Sequence, residues 1–215
     1  MSAVNTPLLQ TERLRLRKFS LRDLDSILHL FGDKEVNEFL PWFPVTTREE
    51  ARGFYEQNYL QRYQREAGYH YAICLKTEDI PIGWVQVRAD ESMDLGYGLA
   101  KEFWYTGIVT EACVAVLERV KQDGYLYVTA THDVNNTASG RVMQKLQMQY
   151  MYTYQELWQP KNKLVTFRMY QLNFDGDSTR VYRNYWELNP VHYVEAIHDS
   201  CLIRRMCQNH TGVFV

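Results

Sequence analysis

The chain has 215 residues, of which 46% are hydrophobic and 23% are charged, and its formal net charge is −2. This composition is sufficient for one globular domain with an appendage. The near-balanced charge provides no general attraction to nucleic acid or to an anionic membrane, so neither is expected as a partner, and an anionic ligand must be held by local donors. No apolar run approaches the roughly 20 residues of a membrane span, and no secretory leader is recognised, so we expect a cytoplasmic protein.

The cysteines point to the same compartment. Their spacing excludes a C-x-x-C pair, and most of them lie in apolar runs that are typical of buried, reduced thiols. No metal site is expected. The four residues are Cys74, Cys113, Cys201 and Cys207.

The first part of the chain predicts a strand followed by two helices. Residues 13–17 alternate arginine with leucine, which predicts a half-buried strand whose arginines coat a solvated face. Ser20 can cap a helix over residues 21–31. Residues 46–49 resemble a capping box that opens a second helix, which reaches about Arg65.

Shorter patterns predict the remaining elements. Gly96 and Gly98 fall inside a predicted strand, where glycine marks a bulge, a close approach by a ligand or a packing kink. Gly124 stands where a helix would end in a left-handed residue. The predicted strands are 69–75, 81–87, 93–99, 125–131, 150–158 and 164–172, and the predicted helices among them are 110–123 and 136–146.

Two junctions between a strand and a helix carry the functional signal. The segment from Trp104 to Ala112 contains a glycine turn, and a second helix begins at Asn136. Such a junction directs several backbone N–H groups and the positive end of a helix dipole at one spot, which suits a phosphate-bearing ligand.

The two junctions together resemble the GNAT superfamily of acyl-CoA-dependent N-acetyltransferases. The matching patterns are W-x-x-G-x-x-T-E-A over residues 104–112 and N-x-A-S-x-R-V-M-x-K-L over residues 136–146. Within the superfamily the residues are most similar to the Rim-like branch, which acetylates the N-termini of ribosomal proteins. The resemblance covers residues 11–172. It implies a mixed α/β (α+β) fold with a twisted, mostly antiparallel sheet of about seven strands, a splayed parallel pair, and helices on both faces.

The resemblance also implies where acetyl-CoA lies. The pantetheine arm would pair with the splayed strand at Tyr97 to Leu99, and Asn136 would bond to that arm while capping its helix. The alternative role for Asn136 is capping alone. The pyrophosphate would rest on backbone amides of the turn, which are those of Tyr105, Thr106, Gly107, Ile108, Val109 and Thr110. On this turn Val109 replaces the family's usual Gly or Ala, and it could crowd the anion.

Catalysis is expected to be a direct transfer with no acyl-enzyme. Many members of the family have a tyrosine acid where this chain has Met143, whereas the Rim-like branch uses a serine, here Ser139. Ser139 is therefore expected to protonate the leaving thiolate, the alternative being a second capping hydroxyl. Gln147 departs from the family's pattern, because it replaces a glycine at the end of the helix. The cations Arg141 and Lys145 are expected to be solvated.

Glu156 is the expected general base. Its position in the penultimate strand roughly matches the acidic residue of the branch, although Trp158 competes for the same place. Other candidates are a water molecule or Glu91, Asp94 and His132, and a lone histidine after a strand is more often a plain core residue.

The acceptor is an amine, either of a small molecule or of a protein N-terminus. The aromatic loop around Trp42 predicts either a wall for this substrate or simple core contact. Residues 1–172 are expected to form the catalytic domain. Residues 173–215 form an aromatic-rich extension, predicted to be helical, that packs on its own domain or on a second subunit, which makes a homodimer plausible. The aromatic and apolar residues of this extension are Tyr182, Tyr185, Trp186, Tyr193, Ile197, Leu202 and Ile203.

Three functions are compatible with these patterns. The leading one is an enzyme that acetylates a primary amine. The second is a non-catalytic acyl-CoA-binding or regulatory module on the same scaffold, which Val109 and the missing tyrosine favour. The third is a nucleotide-binding α/β domain, which would require a longer glycine fingerprint than this chain has.

Overall fold

The computed structural model describes residues 4–195, which form strands and helices in the predicted order. Seven of the strands in this part of the chain have four or more residues, as expected. The strands are β1 (Leu9–Gln10), β2 (Leu14–Arg17), β3 (Tyr69–Leu75), β4 (Pro81–Val87), β5 (Leu95–Leu99), β6 (Tyr127–Asp133), β7 (Gln149–Trp158), β8 (Lys163–Asn173) and β9 (His192–Tyr193). The helices are α1 (Leu24–Gly32), α2 (Arg48–Tyr55), α3 (Gln61–Tyr63), α4 (Ile108–Gln122), α5 (Thr137–Lys145) and α6 (Asn184–Leu188).

The strands form two antiparallel sheets that meet at one parallel contact. The first sheet has the order β1-β2-β3-β4-β5, and the second has the order β6-β8-β7-β9. Asp94, just before β5, forms a parallel bridge with Thr129 of β6, and the Thr129 amide donates to the carbonyl of Met93 at 3.2 Å. The strands separate beyond this point. The structure thus confirms the expected fold, with its splayed parallel pair.

Helices cover both faces of the first sheet. On one face, Cys113 and Val116 of α4 are fully buried against Tyr71 and Val85. On the other face, Phe31 of α1 belongs to an aromatic cluster with Trp84, Trp42 and Phe54. Burial of apolar side chains on both faces provides the main stabilisation of such a layered fold.

Trp42 belongs to this core rather than to a substrate wall. Its ring lies 5.9 Å from that of Phe31 and 5.7 Å from that of Phe54, centroid to centroid. The indole Nε1 donates to Asn37 Oδ1 at 3.0 Å. Of the two roles predicted for the aromatic loop, the structure therefore shows core contact for Trp42.

The second predicted helix differs from expectation in two ways. Its cap is Thr47, whose hydroxyl accepts from the amide of Glu50, and the Glu50 carboxylate accepts from the Thr46 amide at 2.6 Å. The carboxylate that closes the cap is thus one residue later than predicted. The helix is also not continuous, because a π-helical turn over Glu56–Leu60 separates α2 from α3.

Of the roles considered for the two glycines of β5, the structure shows a packing role and no bulge. The pairing of β4 with β5 runs without a register shift from Gly83–Leu99 to Val87–Leu95. A Cβ on Gly98 would lie 2.5 Å from Nε1 of Trp84, and one on Gly96 would lie 3.3 Å from the same ring. Glycine is needed here so that the Trp84 ring can lie flat on the strand.

Left-handed residues end both central helices. Gly124, after α4, has φ of 88°, as predicted, and Gln147, after α5, has φ of 61°. Cys74 and Cys113 are fully buried free thiols, whereas Cys201 and Cys207 lie outside the described residues. Among residues 4–195, no helix combines the length and the apolar character that crossing a bilayer requires.

The described part of the extension lies against β7. Tyr185 stacks on Tyr154 with ring centroids 5.3 Å apart, and Trp186 meets Tyr152 edge-on at 5.4 Å. Glu195 forms an ion pair with Arg168 of β8, with Nη2 and Oε2 2.7 Å apart. Only α6 of this segment is helical, and β9 pairs with β7 instead. The predictions for Ile197, Leu202 and Ile203 concern residues outside the described part.

Candidate active site

A cleft of about 450 Å³ opens where β5 and β6 separate. Its walls are the end of β5, the turn before α4, the first turns of α4 and α5, and the loop after α1. The predicted site residues that line it are Tyr97, Leu99, Tyr105, Gly107, Ile108, Val109, Thr110, Asn136 and Ser139. The fold therefore brings both sequence motifs to the same cavity.

The turn before α4 lines this cleft, and its first backbone N–H groups have no hydrogen-bond partner within residues 4–195. Gly107 is the N-cap, with φ of 80° and ψ of −2°, a left-handed conformation that glycine adopts without strain. The first amide to find a partner in the helix is that of Glu111, which donates to Gly107 O at 3.0 Å. The amides of residues 107–110 therefore point outward at the positive end of the α4 dipole, an arrangement that favours a diphosphate.

Tyr105 has an unusual conformation on this turn. Its φ is 63°, and its side chain is 90% exposed at the mouth of the cleft. A non-glycine residue in the left-handed region is uncommon, and such strain concentrates at ligand sites. Its neighbour Thr106 is not among the residues that line the cleft. The Thr106 hydroxyl instead donates to the Phe103 carbonyl at 2.6 Å, which closes the turn.

Arg13 holds the turn from outside, a role that the sequence did not predict. Its Nη1 donates to the Thr106 carbonyl at 3.2 Å, and its Nε lies 2.6 Å from Oε2 of Glu111. Thr11 donates to the other oxygen of the same carboxylate. The alternating arginines of β2 predicted only a solvated face, because nothing local in the sequence connects Arg13 with a helix that starts much later.

Val109 lines the cleft and also contacts the core. Its side chain is partly buried and packs against the hydrophobic core beneath α4, while its amide belongs to the unpaired first turn. Because backbone N–H groups do not depend on side-chain identity, the substitution leaves the donors of the turn in place. Its effect on binding stays a prediction.

Asn136 caps α5, as expected. Its Oδ1 accepts from the amide of Ser139 at 3.1 Å. Within residues 4–195, the Nδ2 group of Asn136 forms no hydrogen bond of its own. The side chain can thus cap the helix with one end and donate to a ligand in the cleft with the other.

Ser139 lies in the first turn of α5, beside the side chain of Tyr97. The Tyr97 hydroxyl lies 3.0 Å from Ser139 Oγ and 2.9 Å from the Ser139 carbonyl oxygen. Met143, one turn later, is buried in the core and cannot take part in proton transfer. Ser139 and Thr137 both bring a hydroxyl of the first turn of α5 to the cleft, and of the two it is Ser139 whose Oγ contacts Tyr97.

The acidic candidates lie in a separate cluster beside Arg88. Oδ1 of Asp94 is buried and has no hydrogen-bond partner among the described residues, and Oδ2 lies 4.0 Å from Nε of Arg88. Burial raises the pKa of Asp94 to about 6, against the opposing charge of Arg88. Burial likewise raises the pKa of Glu156 on β7, and Arg88 again opposes it.

The negative charge of Glu156 is one of the smaller causes of the raised pKa of Asp94, after burial. Tyr185 of the extension also belongs to this group. Burial is the larger cause of the raised pKa of its phenol, and the negative charge of Asp94 is the next. Glu156 does not line the 450 Å³ cleft. The structure therefore places the expected acid in the cleft and the expected base in the neighbouring carboxylate cluster.

The other candidates for the base are placed less favourably. His132 is buried, its Nδ1 donates to the Asp133 carbonyl at 2.8 Å, and its pKa is lowered by burial. A Cβ on Gly140 would lie 2.9 Å from its Nε2, so the ring packs against α5. Glu91 is exposed near Asn184, and the Trp158 ring packs on Phe167.

Comparison with known proteins identifies the family. Residues 13–149 match the family described as the acetyltransferase (GNAT) domain. An uncharacterized N-acetyltransferase of Bacillus subtilis (strain 168), YnaD, is 26% identical over 142 residues, which cover 64% of this chain and 80% of YnaD. An uncharacterized N-acetyltransferase of Bacillus licheniformis, p20, is 25% identical over 169 residues, which cover 76% of this chain and 94% of p20.

The fold is also similar to that of solved acetyltransferases. RimL, a ribosomal alpha-N-protein acetyltransferase solved in complex with coenzyme A, superposes with a TM-score of 0.69 at 20% identity, over 80% of this chain and all (100%) of that one. At this identity the likeness shows the fold alone. Because the family match covers more than half of the sequence and the cleft agrees with it, the chain belongs to the GNAT acetyltransferase family.

Proposed function

We propose that this protein moves an acetyl group from acetyl-CoA to a primary amine by direct transfer. The observation that carries the proposal is that the unpaired amides of residues 107–110, Asn136 and Ser139 all face one cleft. The amides would hold the diphosphate, and Asn136 Nδ2 would donate to the pantetheine arm. β5 ends along this cleft at Tyr97 to Leu99, where the arm would pair as an extra strand.

The chemistry requires a neutral amine and a proton for the leaving sulfur. Ser139 would supply the proton, because its hydroxyl lies on the cleft wall. A carboxylate of the Asp94–Glu156 pair would remove the proton of the amine, directly or through water. A raised pKa suits this task, because a carboxyl group that titrates near neutrality is a stronger base than an ordinary one.

The acceptor proposed first is a protein N-terminus. The fold likeness to RimL supports this choice, as does the position of the carboxylate pair, whose negative charge would attract an ammonium group. The buried, reduced thiols Cys74 and Cys113 agree with action in the cytoplasm. Polyamines and other small amines are the competing acceptors.

One observation favours a second candidate, a non-catalytic module that binds acyl-CoA. The position of the usual tyrosine acid is occupied by Met143, which is 1% exposed. Such a module would bind acetyl-CoA in the same cleft and release no thiol with any amine.

Calorimetric titration with acetyl-CoA, followed by a thiol-release assay, tests the proposal. The assay is run with N-terminal peptides, polyamines and aminoglycosides. We expect saturable binding and thiol release that depends on one class of amine. Binding without thiol release across the panel would favour the non-catalytic module, and a lack of binding would contradict both.

A further inference from the structure

The side chain of Tyr97 links the splayed strand to the helix that carries Ser139. Tyr97 lies on β5, and its hydroxyl contacts Ser139 twice, at 2.9 Å from the carbonyl oxygen and 3.0 Å from Oγ. The ring is partly buried in the core between β5 and α4, so its position is set by packing. The sequence indicated only a backbone role for Tyr97, which is pairing with the pantetheine arm.

The hydrogen bond between the two hydroxyls can run in two directions. The phenol has one proton, and the carbonyl of Ser139 can only accept. When Tyr97 donates to this carbonyl, its contact with Oγ requires Ser139 to donate to the phenol oxygen. When Tyr97 donates to Oγ instead, the proton of Ser139 is free to turn towards the cleft.

Rotation of the phenolic O–H bond and of the Ser139 O–H bond converts the first arrangement into the second. No other heavy atom has to move, because both acceptors already lie within hydrogen-bond distance of the phenol oxygen. In the second arrangement the bond from Tyr97 also stabilises negative charge on Oγ after it has lost its proton. Burial raises the pKa of Tyr97 far above its usual range, so Tyr97 keeps its own proton throughout.

We propose that Tyr97 is a positioning residue that presents the Ser139 proton to the leaving sulfur. This inference rests on the proposed function. The C–N bond of the amide forms as the C–S bond of the thioester breaks, and the Oγ–H bond of Ser139 breaks as the S–H bond of coenzyme A forms. The amine nitrogen gives up one proton to the carboxylate pair, and one proton returns to Ser139 through water, so the number of protons is conserved.

The test is a double-mutant cycle of Tyr97→Phe and Ser139→Ala. Tyr97→Phe keeps the ring and removes only the hydroxyl. We expect kcat to fall roughly 10- to 100-fold, as for other small losses of alignment, with the KM for acetyl-CoA changed less than about twofold. In a Ser139→Ala background, the same change should lower kcat no further, because the group that Tyr97 positions is already absent.

Tyr71→Phe is the matched control. Tyr71 is a fully buried tyrosine of β3 on the same core, and its hydroxyl has no partner among the described residues. Removing that hydroxyl should leave kcat unchanged. Melting curves and acetyl-CoA titrations of both variants show that folding and cofactor binding are retained.

Four results separate the possible failures. An unchanged kcat in Tyr97→Phe, or a further fall in kcat when Tyr97→Phe is added to Ser139→Ala, overturns the positioning role. A matching loss in Tyr71→Phe also overturns it, because the effect would then be a general one of losing a buried hydroxyl. A wild-type protein that binds acetyl-CoA but acetylates no amine contradicts the proposed function instead.

Discussion

The guanidinium of Arg13 and the carboxylate of Glu111 form an ion pair across the fold, with Nε and Oε2 2.6 Å apart. The pair joins the start of β2 to the first turn of α4. Because Arg13 also donates to the Thr106 carbonyl, it fixes both sides of the turn whose amides face the cleft. A turn that is held before the ligand arrives loses less conformational entropy on binding.

Arg13→Met is therefore expected to weaken acetyl-CoA binding. We predict a roughly 10-fold rise in the Kd, because the amides of the turn lose their support. Stability should fall by only about 1 kcal/mol or less, since the Arg13 side chain is 45% exposed. Calorimetry with acetyl-CoA measures the first effect, and thermal unfolding measures the second.

Arg15→Met is the matched control for this change. Arg15 lies on the same strand, but its partner is Asp79, 3.5 Å away in the connection between β3 and β4, and not a residue of the turn or of α4. The control should bind acetyl-CoA as the wild type does. Equal affinities for all three proteins would show that Arg13 plays no part in forming the site.

Asn136→Ser separates capping from ligand binding. Serine caps helices about as well as asparagine, but it lacks the amide donor that would reach the pantetheine arm. We predict that this variant unfolds at nearly the wild-type temperature and binds acetyl-CoA roughly 5- to 10-fold more weakly, as expected for the loss of one hydrogen bond. Asn136→Ala should lose both affinity and about 1 kcal/mol of stability. Unchanged affinity in Asn136→Ser would leave capping as the only role.

Ser139→Ala tests the proposed acid. Turnover should fall by about 10²-fold or more, because the leaving thiolate loses its proton donor, while the affinity for acetyl-CoA changes little. The measurements are steady-state kcat and calorimetric Kd. The cap of α5 is formed by the side chain of Asn136 on the backbone of Ser139, so it survives the substitution. Wild-type turnover in this variant would remove Ser139 from the mechanism.

The carboxylate pair predicts the pH dependence of the rate. The basic form of Asp94 or Glu156 is the active one, and burial raises both pKa values. The kcat/KM for the amine should therefore rise with pH through a limb that lies near pH 6 if Asp94 is the base. Glu156→Gln and Asp94→Asn are compared, and the variant that abolishes the limb identifies the base. A limb that persists in both would exclude the pair.

The raised pKa of Asp94 also makes a prediction about stability. The folded protein binds this proton more tightly than the unfolded chain, whose carboxyl group titrates near 3.8. The bound proton of Asp94 therefore adds its full stabilisation to the folded protein below about pH 4. This stabilisation is lost as the pH rises through about 6. Asp94→Asn should accordingly gain stability relative to wild type over this interval, by up to about 3 kcal/mol. A difference that is constant with pH would contradict the burial of the charge.

Gln147→Gly is expected to stabilise the protein. Gln147 is exposed and has φ of 61°, where a side chain costs more than the extra unfolded-state entropy of glycine. We predict a gain of about 1 kcal/mol in the free energy of unfolding, read from denaturant curves. Glu118→Gly, at an exposed interior position of α4, should instead lose about 1 kcal/mol. A loss in both variants would mean that the left-handed turn is not strained.

The sequence predicted the scaffold well because its signals are local. The hydrophobic period of a helix or strand is set by residues a few positions apart. The residues at the N-caps of α4 and α5, a glycine and an asparagine, likewise determine only the backbone next to them. Both junctions were therefore predicted, although α4 begins at Ile108, two residues before the predicted start, and the structure brings Gly107 and Asn136 to one cleft. The family resemblance supplied the mostly antiparallel sheet and its splayed parallel pair, which no local pattern determines.

The relationships that the sequence did not predict are contacts between distant elements. Arg13 reaches Glu111, and the hydroxyl of Tyr97 reaches Ser139, only because β2, β5 and α5 converge on α4. The role of Gly98 likewise depends on where the Trp84 ring lies. Spacing along the chain contains no information about such pairs, since they are set by tertiary packing.

A crystal structure of the protein with acetyl-CoA would test the proposed mode of binding most directly. We predict that the diphosphate oxygens lie within hydrogen-bond distance of the amides of residues 107–110, and that the thioester sulfur lies beside Ser139 Oγ. A diphosphate bound elsewhere, or a Val109 side chain that occupies its place, would contradict the proposal.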